Sequence, residues 1–199
     1  MTFNSMVQWL KLSLGGLALA AGLAAVASAQ QSGIVTEFTP ERVTELYFDA
    51  ARQGRVDLLD ELIKAGMQPD ARDHSGFTPL ILAAYNGQSE TVDFLIGKGA
   101  DPCAVDAKGN SALMGVAFKG ETEVAERLLQ ERCNVNAANG AGQTALMMGA
   151  LFDRTAIVKL LIARGADPTL KDAAGNTALG LATQQGNFKM VDLLGEKAR

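Results

Sequence analysis

Apolar positions recur along this chain with a period of 33 residues, in the series Leu62, Leu95, Leu128, Leu161 and Leu194. Glycine marks the same period twice, at Gly76, Gly109, Gly142 and Gly175, and at Gly54, Gly87, Gly120, Asp153 and Gly186. A hydroxyl series, Thr78, Ser111, Thr144 and Thr177, keeps the same register. Four series sharing one period describe one structural unit repeated five times. An apolar run from Leu12 to Val26 lies ahead of the array and does not share its period.

Within one period the pattern alternates between turn and helix signals. Asp73, Asp106, Asn139 and Asp172 each stand three residues before a glycine. A short side chain bonding forward to the backbone, followed by a residue free to take positive φ, predicts a tight turn. Thr78-Pro79-Leu80 then opens a helix, with the hydroxyl as cap and proline where its missing N–H costs little. That helix runs through Leu82-Ala83-Ala84 and stops near Gly87. A second helix carries Val92, Leu95 and Ile96 at helical spacing and ends at Gly99-Ala100-Asp101, a glycine C-cap. One turn and two antiparallel helices cannot bury their apolar face alone, so the units must stack.

Thr78-Pro79-Leu80-Ile81-Leu82-Ala83-Ala84-Tyr85-Asn86-Gly87 and Gly99-Ala100-Asp101-Pro102 resemble the ankyrin repeat, and the similarity covers residues 43–199. The resemblance implies an all-α solenoid of helix-turn-helix units with β-turn tips. Its repeats are about 43–75 as N-terminal cap, 76–108, 109–141, 142–174, and 175–199 as C-terminal cap. The first repeat has Glu45-Leu46-Tyr47 where the others carry the turn signature, and the last ends in the charged Glu196-Lys197-Ala198-Arg199. The histidine that the family pattern places after Thr-Pro-Leu is replaced by Ile81, Met114, Met147 and Gly180, so packing must replace its hydrogen bonds. Arg132 and Asp153 occupy glycine positions, each costing on the order of 1 kcal/mol where φ is positive.

The segment before the array reads as an export signal. Lys11 precedes the apolar run, which closes in Ala27-Ser28-Ala29, and cleavage is expected between Ala29 and Gln30. Residues 1–29 are then a signal peptide and 30–42 a flexible lead-in, with an uncleaved anchor as the alternative. A periplasmic or secreted protein follows.

Charge and composition narrow the chemistry. A net charge of −4 and only 18 scattered basic residues offer no face for a phosphate backbone, so nucleic acid is not expected as a partner. One histidine and two cysteines are too few for most metal or nucleophile constellations. No catalytic residue, no metal and no cofactor are expected. His74, between Asp73 and Ser75, suggests a triad only by adjacency, because neighbours on a turn point apart. Met114, Met147, Met148 and Met190 read as core filling, with soft-metal ligation as the lesser alternative. Cys103 and Cys133 fall on neighbouring repeats, and stacked helices stand about 8–10 Å apart, beyond a relaxed disulfide. Two separate small core residues are the first expectation, and a bridge between them the second.

Two residues before the helix-ending glycine stand Tyr85, Phe118 and Leu151, with Gln184 closing the series. The resemblance implies that this position and the turn tips face a concave groove addressing a protein partner. The candidate contact residues are therefore Tyr85, Phe118, Leu151, Phe152, Phe77, His74, Arg72 and Lys119, on a protein expected to be a monomer. Similarity to exported bacterial ankyrin proteins also raises the role of an accessory factor in oxidative-stress defence beside catalases, handling haem or metal. An inhibitor or immunity-type protein is a third reading, because a concave strip can plug an active site equally well.

Overall fold

The computed structural model describes residues 39–197, so the expected signal peptide, the expected cleavage between Ala29 and Gln30 and most of the expected lead-in lie outside the described residues. Among the described residues, ten helices form five antiparallel pairs. They are α1 (Pro40–Gln53) with α2 (Val56–Lys64), α3 (Pro79–Tyr85) with α4 (Ser89–Gly97), and α5 (Ala112–Lys119) with α6 (Thr122–Leu128). The array closes with α7 (Ala145–Leu151) and α8 (Thr155–Ala163), then α9 (Ala178–Gln184) and α10 (Phe188–Lys197). Among the described residues no helix is long and apolar enough to cross a membrane.

The turn and cap signals act as their chemistry requires. Asp73 Oδ1 accepts from the N–H groups of Ser75 and Phe77, and Asp106, Asn139 and Asp172 repeat the pattern. The hydroxyls of Thr78, Ser111, Thr144 and Thr177 accept from the N–H three residues on, each capping a first helix. Turn tips are tied to their neighbours by a recurring backbone bond. The N–H groups of Ala107, Gly140 and Ala173 donate to the carbonyls of Ser75, Lys108 and Ala141 at 3.1, 2.9 and 2.9 Å.

Leucine at the 33-residue register forms the spine of the core, with Leu62, Leu95, Leu128, Leu161 and Leu194 all buried. Ile81, Met114 and Met147 fill the position of the missing histidine and are buried beside it. Ala83, Ala84, Ala117, Ala150 and Ala182 are buried on the first helices, where small side chains permit close approach. The first helices accordingly contact one another more extensively than the second helices do. A layer packed more tightly than its partner becomes the inside of a curve, so the first helices and turn tips line the concave face.

The first repeat differs from the others. Thr39 caps α1 and Pro40 opens it, so the helix begins inside the segment assigned to the lead-in. Tyr47 and Phe48 anchor a separate apolar cluster with Leu59, Leu62 and Ala65, closed by Leu82 of the next repeat. The Tyr47 hydroxyl donates to the Gln68 carbonyl at 3.1 Å.

Two substituted glycine positions have different outcomes. Asp153 takes the left-handed conformation, with φ 55°. Arg132 does not. Instead α6 stops at Leu128, two residues earlier in register than α2, α4 and α8. The freed Leu129 carbonyl accepts from Arg164 of the following repeat. Cys133 and Cys103 lie in the neighbouring loops that follow α6 and α4, and the two form a disulfide with Cα atoms 5.4 Å apart. The expectation of two separate core residues is thus corrected, because helix-axis spacing governs helices and not the loops that follow them. Cys133 is half-buried and Cys103 exposed, rather than packed in the core.

Candidate interaction groove

The concave face carries a groove of 570 Å³, lined in part by Arg52, Phe77, Tyr85, Asn110, Phe118 and Met148. Its floor is built by the ends of α3 and α5. Gly115 permits this, since a Cβ there would stand 3.3 Å from Cδ2 of Tyr85. The Tyr85 ring therefore lies down along α5.

Along the groove runs an aromatic ladder. Tyr85 and Phe118 stack with centroids 6.0 Å apart and planes 14° apart, while Phe118 meets Phe152 edge-on at 4.4 Å. Lys119 places its ammonium 5.2 Å from the Tyr85 centroid, a cation over a π face. Tyr85 and Phe152 are each 38% exposed, enough to present ring surface to a partner. The third rung is Phe152 and not Leu151. The α7 helix ends at Leu151, which packs against the core, and Phe152, as its C-cap residue, turns its ring toward Phe118.

The other candidates separate into free and engaged side chains. His74 is exposed on its turn tip. Arg72 donates from Nη1 to the Gly76 carbonyl at 2.9 Å and to the Val105 carbonyl of the next tip, so it clasps two tips together. Phe77 is half-buried and packs against both apolar clusters while facing the groove. Among the described residues, no three His, Cys, Asp or Glu side chains are grouped to hold a metal ion.

Arg52 and Asn110 also line the groove, although neither is conspicuous in the sequence. Arg52 stands two residues before Gly54, so it opens the series continued by Tyr85, Phe118, Leu151 and Gln184. Its guanidinium pairs with Asp49 at 2.7 Å and reaches Asp73 at 3.6 Å. Asn110 follows Gly109 as Phe77 follows Gly76, and its Oδ1 accepts from Asn139 Nδ2 at 2.8 Å. Extending each series by one period would have found both. Asp172, on the last turn tip, has its carboxyl held below the usual range, chiefly by the backbone N–H of Asn176.

Comparison with known proteins agrees with this architecture. A family model described as ankyrin repeats (3 copies) matches residues 25–106, 47–139 and 113–199. A stretch of 56 residues, 28% of the chain, is 41% identical to the potassium channel AKT2/3 of Arabidopsis thaliana, and spans 7% of that channel's length.

Proposed function

The chain belongs to the ankyrin-repeat family, and from that premise we propose that it is a non-catalytic protein that holds a partner protein in its concave groove. The observation that carries this reading is the ladder Tyr85, Phe118 and Phe152, which keeps aromatic surface open across three stacked repeats. Aromatic side chains with room for a partner are the usual anchors of a protein interface. Export to an oxidising compartment is part of the same proposal. The Ala27-Ser28-Ala29 step supports it, as does the Cys103–Cys133 disulfide, since such bonds persist outside the reducing cytosol.

The test begins with crosslinking in the native compartment and mass-spectrometric identification of what is captured. Affinity of the purified partner is then measured for the wild type and for the paired variant Tyr85→Ser, Phe118→Ser. Each ring covered by a partner contributes on the order of 1.5–3 kcal/mol, so the pair should weaken binding by at least about tenfold. A folded paired variant with undiminished affinity refutes the groove as the binding face.

A further inference from the structure

The second and third repeats are joined in a way the other junctions are not. Positions Asp70, Cys103, Asn136 and Thr169 share one register, as do Asp101, Asn134 and Asp167. At the first junction the Asp101 N–H donates to Asp70 Oδ1 of the preceding repeat at 2.9 Å. At the third, the Asp167 N–H donates to Asn136 Oδ1 at 2.8 Å. Between them the acceptor position is Cys103, whose side chain has no oxygen, and the bond is not formed. Cys103 is instead bonded covalently to Cys133, the residue next to the would-be donor Asn134.

The same segment lacks a second lock. The N–H groups of Met67, Ala100 and Ala166 each donate to the carbonyl of the spine leucine five residues earlier, at 3.0 Å, closing their helix ends. Cys133 is in the same register and makes no such bond to Leu128, because α6 has already ended and Arg132 avoids the left-handed cap. Without the disulfide this edge of the junction would hold neither the inter-repeat hydrogen bond nor the closed helix end. What remains lies elsewhere on the junction. It includes the apolar packing of α3 against α5 in the shared core, the Gly140 to Lys108 and Asn139 to Asn110 bonds at the turn tips, the Arg127–Asp93 pair between second helices, and the Tyr85–Phe118 stack.

We propose that the Cys103–Cys133 disulfide is a thiol-sensitive clasp. Closed, it makes the second and third repeats one cooperative unit; opened by a dithiol reductant, it releases the loop after α6 and loosens this edge of the junction. Opening is a two-electron exchange. A thiolate of the reductant attacks one protein sulfur and displaces the other as a thiolate, forming a mixed disulfide. The second thiolate of the reductant then displaces the first protein sulfur, leaving an oxidised cyclic reductant and, after protonation, two cysteine thiols. Cys103 is exposed, so the bond is open to attack from solvent. Stability in a stacked array is set repeat by repeat and by nearest-neighbour interfaces, so the effect belongs to this junction and not to the whole molecule.

The test is hydrogen exchange followed by mass spectrometry on the full chain, oxidised and then treated with dithiothreitol, with thiols titrated in parallel. The oxidised protein should show no titratable thiol. On reduction, exchange in 98–105 and 129–137 should rise by at least about tenfold, while 66–72 and 163–170 stay unchanged. The paired variant Cys103→Ser, Cys133→Ser should exchange like the reduced protein and ignore the reductant. The paired variant Cys103→Asn, Cys133→Ala restores an acceptor oxygen at the register of Asp70 and Asn136, and should stay protected with or without reductant. Two titratable thiols in the oxidised preparation would overturn the proposal. So would unchanged exchange at 129–137 on reduction, or a rise spread evenly over the array.

Discussion

Phe118 stands at the centre of the aromatic ladder, with Tyr85 stacked on one side at 6.0 Å and Phe152 edge-on at 4.4 Å on the other. Truncating it to alanine breaks both contacts. Each aromatic pair is worth about 0.5–1.5 kcal/mol beyond the burial of the ring, so Phe118→Ala should lose about 1–3 kcal/mol from the pairs alone. Phe152→Ala and Tyr85→Ala break one ring pair each and should lose less. Double-mutant cycles isolate the contacts from burial. The Phe118/Phe152 and Phe118/Tyr85 cycles should show coupling of about 0.5–1.5 kcal/mol, the closer pair giving the larger value. Tyr85 and Phe152 form no ring pair of their own and are linked only through Phe118, so their cycle should give the smallest coupling of the three. The assay is urea unfolding followed by far-ultraviolet circular dichroism, with the slope checked for constancy across variants. A cycle of Phe118 with Leu151 serves as the control. If that pair couples and Phe118/Phe152 is additive, the ladder keeps the 33-residue register of the sequence, its third rung is Leu151, and Phe152 is no part of it.

Gly76 and Gly175 hold the same turn position with φ 79° and 82°, yet a Cβ on Gly76 would stand 2.6 Å from the Ala107 backbone nitrogen while Gly175 has open space. Gly175→Ala should therefore lose only the left-handed term of about 1 kcal/mol. Gly76→Ala should lose at least about 1 kcal/mol more, with equal midpoint shifts in urea counting against the inter-repeat contact. Leu161 is completely buried, and Leu161→Ala should lower unfolding stability by about 2–5 kcal/mol through the cavity it leaves; a loss well below that would place Leu161 outside the packed spine. Burial, reinforced by the Asp70 carboxylate, pushes the Tyr47 phenol well above its ordinary value of 10.0. The neutral form is the one the fold favours, so this contribution is fully present below about pH 10 and is lost as pH rises further. Tyr47→Phe should flatten the fall in urea midpoint above about pH 10 while losing about 1 kcal/mol at neutral pH with the hydrogen bond to Gln68; an unchanged alkaline slope would contradict the burial.

The array was legible in the sequence because its determinants are local and periodic. A turn needs Asp73 and Gly76 at fixed spacing, a helix needs a cap such as Thr78, and a stack needs Leu95 and its counterparts in one register. Recurrence of these requirements every 33 residues specified the repeat and its core. The groove was partly legible for the same reason, since Tyr85 and Phe118 obey the period.

What only the tertiary structure decided lies where the period breaks. Leu151 and Phe152 are adjacent in sequence, and the end of α7 between them settles which side chain completes the ladder. Arg72 is a candidate partner contact by its place at a turn tip, but its guanidinium is engaged by the Val105 carbonyl of the next tip. Arg132 reads as a strained cap, and the chain avoids that strain by ending α6 early, while Cys133 meets Cys103 across neighbouring loops that belong to different repeats. Local rules fix what each segment prefers to form. Which contacts result when a segment cannot follow them depends on the neighbour stacked against it, a distance no spacing along the chain encodes.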